Sequence, residues 1–321
     1  MKYDEYKAIA SYIAQRQTSV SPSPKSNSTT EETMGLLLDQ LKKYDIKFAN
    51  LLDTYDKQRL IEGIKTPDNF LKVEVYLHVL LDSTNVFLKQ LTSSEKKVRI
   101  CLAEKQTKGR GRRGKEWFSP FGSNVCLSIR RPVNITPKAS GGISLVVGIS
   151  IVQALESLGY VDLKIKWPND IYYMNKKLSG VLIEVVSVKH DFLDVVIGIG
   201  MNVNVPASAM STVEQAWVNL AEIPCDSPAG RNDLVIAIVN HLNDNLSLLE
   251  TKGLSAFKQS WKRYDLLFGK SIKVMQEDNS LLEGEAIGIS DTGQLLLKRT
   301  NNMVLPVSAG EVSVRLSGLM R

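Results

Sequence analysis

Residues 105–117 combine more positive charge and more glycine than a packed helix or strand can accommodate. The stretch holds six basic residues and three glycines: Lys105, Lys108, Arg110, Arg112, Arg113 and Lys115, with Gly109, Gly111 and Gly114. Glycine permits tight bends that bring backbone N–H groups close to a ligand, and arginine offers a planar fork that matches phosphate or carboxylate. The stretch therefore predicts a mobile loop that binds a phosphorylated anion. A solvated basic loop or a nucleic-acid patch is the alternative that these residues leave open.

The three glycines spell G-x-G-x-x-G, but their surroundings do not fit a dinucleotide-binding turn. Such a turn opens a helix and is followed by an acidic residue about twenty positions later. Here Trp117 to Pro120 comes next, and then an alternating run, Asn124 to Ile129, that is typical of a strand. The Walker G-K-[ST] sequence and the kinase H-R-D and D-F-G motifs are also missing from the chain.

The composition is that of an ordinary globular protein with room for two or three domains. The chain has 321 residues, of which 43% are hydrophobic and 23% charged. Its net charge of +6 can come from the basic loop alone, so the excess is local and does not argue for general nucleic-acid binding. Cys101, Cys126 and Cys225 are scattered and lack C-x-x-C spacing. We therefore expect free thiols in a cytoplasmic location. We also expect no membrane span.

Residues 1–70 form a separate N-terminal region with a helical pattern. Apolar residues have helical spacing in Tyr3–Gln15 and again in Thr30–Tyr44, and the Ser/Pro-rich residues 18–30 between them are typical of a mobile link. The region carries ten basic and ten acidic residues, so it has no net charge with which to attract DNA.

After this region the pattern alternates between strands and helices. A strand from Lys72 is followed by Asp82-Ser-Thr-Asn85 and a helix from Val86, for which Asp82 or Ser83 would be the N-cap. The tetrapeptide is a plain helix cap in one interpretation. In the other, its hydroxyl and amide groups bind a polar ligand at the helix N-terminus.

Further polar or bare positions occur at strand ends. The strand at 162–166 leads into Trp-Pro-Asn-Asp170. This tetrapeptide either forms a turn or lies at the edge of a ligand site. Lys177 opens a strongly apolar strand and so stands on a rigid support. Gly198 and Gly200 alternate in another strand and leave one face bare, as a flat ligand would require; a β-bulge is the alternative.

The chain after Phe268 consists of short alternating runs separated by glycine-containing turns. Roughly fifty residues of this kind predict a small barrel of SH3-like size. The three histidines, His78, His190 and His241, stand apart in the sequence, so neither a transition-metal site nor a Ser-His-Asp triad is indicated.

Five motifs stand in one order along the chain. They are Asp82-Ser-Thr-Asn85, Gly109-Arg-Gly-Arg-Arg-Gly-Lys-Glu-Trp117, Lys166-Trp-Pro-Asn-Asp170, Lys177-Leu-Ser-Gly180 and Gly198-Ile-Gly-Met-Asn202. From Leu71 onward the chain resembles a biotin–protein ligase of the bacterial type. The second and third motifs are long and specific, whereas the others are weak on their own.

This resemblance implies a fold and a domain division. The expected catalytic domain is α+β (α/β-like) with a mixed sheet, of the class II synthetase-like biotin/lipoate ligase fold. It would lie between a small helical N-terminal region and a C-terminal SH3-like β-barrel. The expected divisions are residues 1–70, 71–267 and 268–321.

The resemblance also implies an ATP-dependent reaction in two steps. Biotin and ATP, with Mg²⁺ at the pyrophosphate, would give biotinyl-5′-adenylate. Biotin would then pass to one lysine of a carrier domain, the biotin carboxyl carrier protein of acetyl-CoA carboxylase. No metal site made by the protein alone is expected, and homodimerisation through the central domain is left open.

The implied site residues fall into three groups. Those expected at biotin are Ser83, Thr84, Asn85, Gln106, Arg110, Gly180, Gly198 and Gly200. Those expected at ATP or the adenylate are Gly109, Gly111, Arg112, Arg113, Gly114, Trp117, Asn169, Lys177 and Asn202. The expected catalytic residues are Lys177, Arg112, Asp170 and Arg110. The cations would offset negative charge at the α-phosphate, and Asp170 would orient or deprotonate the incoming amine. Capping a turn is the alternative role for Asp170, and anchoring the loop is the alternative for Trp117.

A DNA-binding function is the main alternative. Bacterial ligases that double as repressors carry a winged helix-turn-helix, and the N-terminal helices resemble a degenerate one. However, residues 18–30 stand where its middle helix should be, and residues 48–56, at the position of the wing, contain no glycine. A biotin-responsive repressor is therefore kept as the alternative, and DNA binding is not expected. A lipoate or octanoate ligase would lack the arginine-rich glycine loop.

Overall fold

The computed structural model describes residues 55–68, 70, 72–92, 97–189, 192–211, 213–276, 280–309 and 313–316. The two helices and the link expected between Tyr3 and Tyr44 lie outside the described residues. Within the described part of the chain, no helix has the length and apolar character needed to cross a membrane.

A seven-stranded mixed sheet forms the centre of the molecule. Its strands are β1 (Lys72–Leu81), β2 (Lys97–Gln106), β3 (Asn124–Val133), β4 (Lys164–Lys166), β5 (Asp170–Tyr173), β6 (Lys176–Lys189) and β7 (Phe192–Asn202). They lie in the order β1-β2-β3-β7-β6-β5-β4. Only the β1–β2 pair is parallel, and the other neighbours in this sheet are antiparallel. The mixed sheet expected from the resemblance is confirmed.

Five α-helices accompany the described strands. They are α1 (Lys57–Gly63), α2 (Thr84–Gln90), α3 (Gly141–Ser157), α4 (Arg231–Lys252) and α5 (Lys258–Tyr264). The helix expected from Val86 therefore begins at Thr84. Ser83 occupies its N-cap position, but the Ser83 side chain makes no capping hydrogen bond.

The two faces of the sheet have different characters because side chains alternate along each strand. On β7, Val195, Ile197 and Ile199 belong to the main hydrophobic core together with α3 and α4. The intervening positions, which include Gly198 and Gly200, turn to the face that carries α2, where a small second cluster lies. Because the apolar side chains of β7 are buried on one face, the intervening residues have to point to the other face.

Helix α2 is held at its C-terminus by a buried arginine from β3. The Arg130 guanidinium donates to the carbonyl oxygens of Leu88 (2.7 Å) and Leu91 (2.6 Å). It also forms an ion pair with Asp194 on β7 at 2.7 Å, with both side chains 3% exposed. Removing one member would leave a buried charge without its partner, which is strongly destabilising. This ion pair therefore fixes α2 against the sheet.

The C-terminal part forms a five-stranded antiparallel sheet. Its strands are β8 (Ser271–Met275), β9 (Leu281–Ile289), β10 (Leu295–Lys298), β11 (Val304–Val307) and β12 (Ser313–Leu316). They lie in the order β11-β10-β9-β8-β12, which fits the SH3-like unit expected after Phe268. Its buried Leu295 and Leu297 are continuous with the main core. The Trp167 indole N–H also donates to the Gly293 carbonyl at 3.1 Å.

Residues 55–68 dock on the catalytic core. Helix α1 begins after Asp56, whose carboxylate accepts from the Arg59 N–H at 3.0 Å. Asn240 on α4 accepts from the Lys65 N–H (2.9 Å) and donates to the Gly63 carbonyl (3.0 Å). Leu60 is fully buried in the main core. This segment therefore packs on the catalytic domain, although it lies before the expected boundary at residue 71.

This docking predicts unequal effects of truncating two adjacent side chains. Leu60→Ala should lower the free energy of unfolding by about 2–5 kcal/mol, because it leaves a cavity in the core. Ile61 is 44% exposed, so Ile61→Ala should change the free energy by less than about 0.5 kcal/mol. Urea unfolding of the full chain measures both changes. Equal effects would contradict the placement of α1.

Candidate active site

The basic stretch forms a short hairpin between β2 and β3. The Trp117 N–H donates to the Gly109 carbonyl (2.9 Å), and the Gly111 N–H donates to the Lys115 carbonyl (2.7 Å). A Cβ on Gly109 would lie 2.3 Å from the Trp117 carbonyl oxygen, so only glycine fits there. A 3₁₀ turn at Arg112–Gly114 closes the tip, with Arg113 at φ 58° and Gly114 at φ 69°. No helix follows the glycines, which agrees with the exclusion of a dinucleotide-binding turn.

The base of this hairpin is joined to the loop before α2. The Lys108 N–H donates to the Asp82 carbonyl at 2.9 Å, and the Lys108 ammonium contacts the Asp82 carboxylate at 2.9 Å. The Thr107 hydroxyl donates to the same carboxylate. Hydrogen bonds from Thr107 and Lys108 lower the pKa of Asp82. Asp82 therefore anchors the basic hairpin instead of capping α2.

Polar side chains from α2, β2 and β3 meet in a buried chain of hydrogen bonds. The Gln106 side-chain oxygen accepts from the Thr84 N–H at 2.9 Å and lies 3.2 Å from the Thr84 hydroxyl. The Ser128 hydroxyl lies 2.7 Å from that hydroxyl and 2.5 Å from the Asn85 side-chain oxygen. Thr84, Asn85 and Ser128 are all less than 5% exposed. Ser128, which was not predicted from the sequence, thus links Thr84 to Asn85.

The chain of hydrogen bonds ends at Glu184 on β6. The Asn85 amide nitrogen donates to the Glu184 carboxylate at 2.9 Å. Lys89 pairs with Glu184 at 2.8 Å, and Arg110 of the hairpin approaches it at 3.4 Å. Burial raises the pKa of Glu184, but the hydrogen bonds from Lys89 and Asn85 outweigh it, and the net shift is downward. The carboxylate is therefore a stable acceptor beside the predicted residues.

Lys177 and Asp170 meet on adjacent strands. Asp170 opens β5 and Lys177 lies near the start of β6, and the Lys177 ammonium donates to the Asp170 carboxylate at 2.7 Å. The backbone of Lys177 is also held by residues 216–218. The Lys177 N–H donates to the Ala216 carbonyl (2.9 Å), and the Val218 N–H donates to the Lys177 carbonyl (3.0 Å). The amine predicted to be catalytic thus stands on a rigid strand end beside the predicted acid–base residue.

The glycines of β6 and β7 make room for three side chains. Gly180 and Gly200 are direct partners across the two strands. A Cβ on Gly200 would lie 2.3 Å from the Trp117 indole, and one on Gly180 would lie 3.2 Å from the Trp117 ring and 3.2 Å from the Lys177 amine. A Cβ on Gly198 would lie 2.3 Å from the Asn85 side-chain oxygen. The glycine face, which the sequence predicted to be bare for a flat ligand, is therefore covered by Asn85 at Gly198 and by Trp117 and Lys177 at Gly180 and Gly200.

A cleft of about 290 Å³ lies beside Arg112. It is lined by Arg112, Arg113, Ser144, Pro168, Asn169, Leu182, Ile183 and Ala309. Burial lowers the pKa of Arg112 and the charge of Asp170 raises it; because an arginine titrates so far above neutrality, the guanidinium stays charged. Arg112 also donates to the Ala309 carbonyl of the C-terminal domain. The Asn169 side-chain oxygen is buried without a protein partner.

Asn202, which was predicted to bind the nucleotide, is not one of the residues that line this cleft. It ends β7 on the face of Gly198 and Gly200, where its side-chain oxygen accepts from the Asn124 amide at 3.1 Å. Ser128, Ser144 and Glu184 were not predicted from the sequence. The signal that could have found Ser128 and Glu184 is a polar residue within an otherwise apolar strand.

No group of three His, Cys, Asp or Glu side chains that could hold a metal ion occurs among the described residues. The described cysteines are not paired in disulfides. The donor set around Lys177 and Asp170 therefore does not form a metal cage of its own.

Comparisons with known proteins match both parts of the chain. Residues 76–202 match the Biotin/lipoate A/B protein ligase family, and residues 267–315 match the Biotin protein ligase C terminal domain. The Escherichia coli protein named "Bifunctional ligase/repressor BirA" is 36% identical over 236 residues, which cover 74% of this chain and 72% of that protein. The Mycobacterium tuberculosis "Biotin--[acetyl-CoA-carboxylase] ligase" is 29% identical, covering 66% and 77% of the two chains.

A solved structure shares the fold. It is titled "Biotin protein ligase from Aquifex aeolicus in complex with biotin and ATP" and is 28% identical to this chain. It superposes with a TM-score of 0.63 over 76% of this chain and 99% of its own.

The packing of Trp117 on Gly200 gives a testable prediction. Gly200→Ala should push the indole away from the strand and into water, at a cost in stability of about 1–3 kcal/mol. The fluorescence of Trp117, obtained by subtracting the spectrum of Trp117→Phe in each background, should shift to the red. A Cβ on Gly142 would make only ordinary contacts at 3.6 Å, so Gly142→Ala is the matched control. An unshifted Trp117 spectrum in Gly200→Ala would contradict the observed packing.

Proposed function

The chain belongs to the biotin/lipoate A/B protein ligase family and is a biotin–protein ligase, and we propose how its residues perform the reaction. In the first step the biotin carboxylate attacks the α-phosphorus of ATP, so that biotinyl-5′-AMP forms and pyrophosphate leaves. In the second step a lysine amine of a carrier domain attacks the acyl carbon, so that an amide forms and AMP leaves. The protein must therefore bring two anions together and then exclude water.

The pairing of Lys177 with Asp170, beside the glycine face and below the arginine hairpin, is the observation that supports this proposal most strongly. Lys177 lies beside Gly180, and the charge of Asp170 acts on Arg112, which lines the cleft. A ligand that spans the polar chain of Thr84 and this cleft would have its reacting carboxyl group next to Lys177.

Charge neutralisation is the role we assign to the cations. Lys177 would contact the biotin carboxylate and the α-phosphate, with Arg110 and Arg112 approaching from the hairpin. Donors that are aimed in advance at developing negative charge lower the barrier without reorganisation during the step. Arg113 and the N–H groups of the glycine hairpin, at Gly109, Gly111 and Gly114, would hold the remaining phosphate oxygens.

The biotin end would bind at the chain of buried hydrogen bonds. Thr84, Asn85, Gln106 and Ser83 would surround the polar ring system, which needs both donors and acceptors. Gly198 and Gly200 would serve there by letting Asn85 and Trp117 approach the strand, and Gly180 by leaving room beside Lys177.

The nucleotide would occupy the cleft next to Arg112. The unpaired side-chain oxygen of Asn169 would accept a hydrogen bond from it, and Trp117 would pack over the adenylate. Asn202, at the end of β7, is assigned here by resemblance. The Arg112–Ala309 contact supports a role for the C-terminal domain in closing this side.

Asp170 would act in the second step. Once the carboxyl group of biotin is activated, Lys177 can turn to the phosphate, and Asp170 becomes free to accept the proton of the incoming lysine amine. The carrier that we propose is the biotin carboxyl carrier protein of acetyl-CoA carboxylase, in a reducing cytoplasmic compartment that fits the unpaired cysteines.

Mg²⁺ would enter with ATP, because this ion is usually bound through substrate phosphates and one or two carboxylates. It would be held by phosphate oxygens and would neutralise charge on the leaving pyrophosphate. We also retain the division into residues 1–70, 71–267 and 268–321, with 55–68 packed on the catalytic part. A homodimer through the central sheet remains a prediction that analytical ultracentrifugation can test.

The role of Lys177 gives the first functional prediction. Lys177→Ala should lower the rate of biotinyl-adenylate synthesis by at least about a hundredfold, since the variant loses a transition-state contact. The exposed neighbour provides the control, and Lys176→Ala should keep the wild-type rate within about twofold. Mass spectrometry of protein incubated with biotin and MgATP detects the adenylate. Near-normal synthesis by Lys177→Ala would remove this residue from the mechanism.

Adding the carrier domain to the same mixture tests the reaction as a whole. The wild-type protein should add one biotin mass to the carrier. Lipoate offered in place of biotin should not be transferred, because the arginine-rich hairpin is the feature that separates the two substrate classes. Transfer of lipoate but not biotin would overturn the proposed substrate.

DNA binding is the alternative suggested by relatives named ligase/repressor. The equal numbers of acidic and basic residues in 1–70 predict no salt-dependent binding to duplex DNA. Selection from random duplexes, with biotin and MgATP present, should therefore enrich no sequence. An enriched sequence whose affinity falls with salt would establish the alternative.

A further inference from the structure

Trp167 is a buried residue to which the reaction scheme above gives no role. Its side chain is 3% exposed, and its indole N–H donates to the Gly293 carbonyl of the C-terminal domain at 3.1 Å. Two positions later, Asn169 lines the cleft in which the nucleotide would lie. The hydrogen bond of Trp167 therefore ties one wall of that cleft to the C-terminal domain.

The Asn169 carboxamide takes its position from α3 and from the backbone that precedes it. Its nitrogen donates to the Ser144 hydroxyl on α3 at 3.2 Å, and its oxygen is buried without a protein partner. A Cβ on Gly148 would lie 3.5 Å from the Asn169 Cα, so this backbone packs closely on the same helix. The attachment of Trp167, two residues earlier, therefore helps to fix where the carboxamide meets the cleft.

The turn that carries Gly293 packs tightly against the start of α3. A Cβ on Gly141, the first residue of that helix, would lie 2.8 Å from the Thr292 carbonyl oxygen. Gly293 itself has φ 85°, and a Cβ there would lie 3.0 Å from the Leu145 side chain. Contacts this close leave the turn no room to move toward α3. The Gly293 carbonyl is therefore held in one place, where Trp167 can donate to it.

A second residue that lines the cleft is tied to the same end of the C-terminal domain. Arg112 donates to the Ala309 carbonyl. Gly293 comes just before β10 and Ala309 just after β11, and these strands pair directly, Leu295 with Val307. One pair of hydrogen-bonded strands thus contacts both Trp167 and Arg112, and through it the C-terminal domain sets the spacing of the cleft walls.

We propose that Trp167 is a positioning residue for the nucleotide, whose hydrogen bond to Gly293 holds Asn169 at the right distance from Arg112. This inference rests on the proposed function, because it assigns the nucleotide to this cleft. Trp167 is not one of the residues that line the cleft, so it acts through Asn169. Asn169 would hold the nucleotide both before and during the first step. Its displacement should therefore raise the KM for ATP and leave kcat unchanged.

Trp167→Phe tests the proposal, because it removes the indole N–H and keeps an aromatic ring. The KM for ATP should rise about fivefold, as expected for one lost hydrogen bond, with kcat for adenylate synthesis within about twofold of wild type. The Kd for biotin should also stay within about twofold, since biotin would bind at the Thr84 end. Pyrophosphate release at saturating biotin measures KM and kcat, and isothermal titration measures the Kd. A purely structural hydrogen bond would lower the free energy of urea unfolding without changing the KM.

Gly141→Ala tests the same contact from the side of the turn. Its methyl group would collide with the Thr292 carbonyl and push the turn away from Trp167, so the KM for ATP should rise by a similar factor. Gly142→Ala is the matched control in the same helical turn, where a Cβ makes only ordinary contacts at 3.6 Å. It should leave the KM within about twofold of wild type. Because Trp167→Phe and Gly141→Ala break one contact, the double variant should exceed either single variant by less than about twofold.

The outcomes are distinguishable from those for the proposed function. If the wild-type protein forms no adenylate from biotin and MgATP, the proposed function fails and this inference fails with it. If the wild type is active, an unchanged KM for ATP in Trp167→Phe overturns the positioning role alone. Equal rises in KM for Gly141→Ala and Gly142→Ala, or effects that multiply in the double variant, do the same.

Discussion

Side-chain alternation on β6 and β7 is the constraint on which the site depends. Successive residues of a strand point to opposite faces, and Ile197 and Ile199 are committed to the apolar core. Gly198 and Gly200 therefore have to face the site, and a shift of one residue in register would exchange the two sets. The core beneath the sheet thus fixes where Asn85 and Trp117 can rest.

Opposite charges distributed around the hairpin make its positive charge tolerable. Asp82 pairs with Lys108 at its base, Glu184 faces Arg110 at its side, and the charge of Asp170 acts on Arg112. Asp82 follows the end of β1, Glu184 lies within β6 and Asp170 opens β5. The hairpin is consequently positioned by electrostatic contacts to rigid elements, which supports a site that is ready for an anionic ligand.

Much of this arrangement could be predicted from the sequence, because the residues concerned lie close together in the chain. Asp170 and Lys177 are seven positions apart, on two strands joined by a tight hairpin, and the three glycines of the basic stretch belong to one loop. Glu184 and Ser128 could not be found in this way, since each meets Asn85 only through sheet pairing and helix docking. The packing of Leu60 could not be predicted from the sequence either, because a seven-residue helix has too few periodic positions to indicate what it packs against.

The ion pairs near the site differ in strength, and this difference suits the chemistry of the site. The Arg130–Asp194 pair beneath α2 is buried and costly to separate, so the ends of the polar chain are held firmly. The contact of Arg110 with Glu184 is longer, at 3.4 Å, and the Arg110 side chain is half exposed. An exposed pair of this kind is worth at most about 1 kcal/mol. The hairpin can therefore exchange this contact for phosphate oxygens at little cost, while Glu184 keeps its hydrogen bond to Asn85.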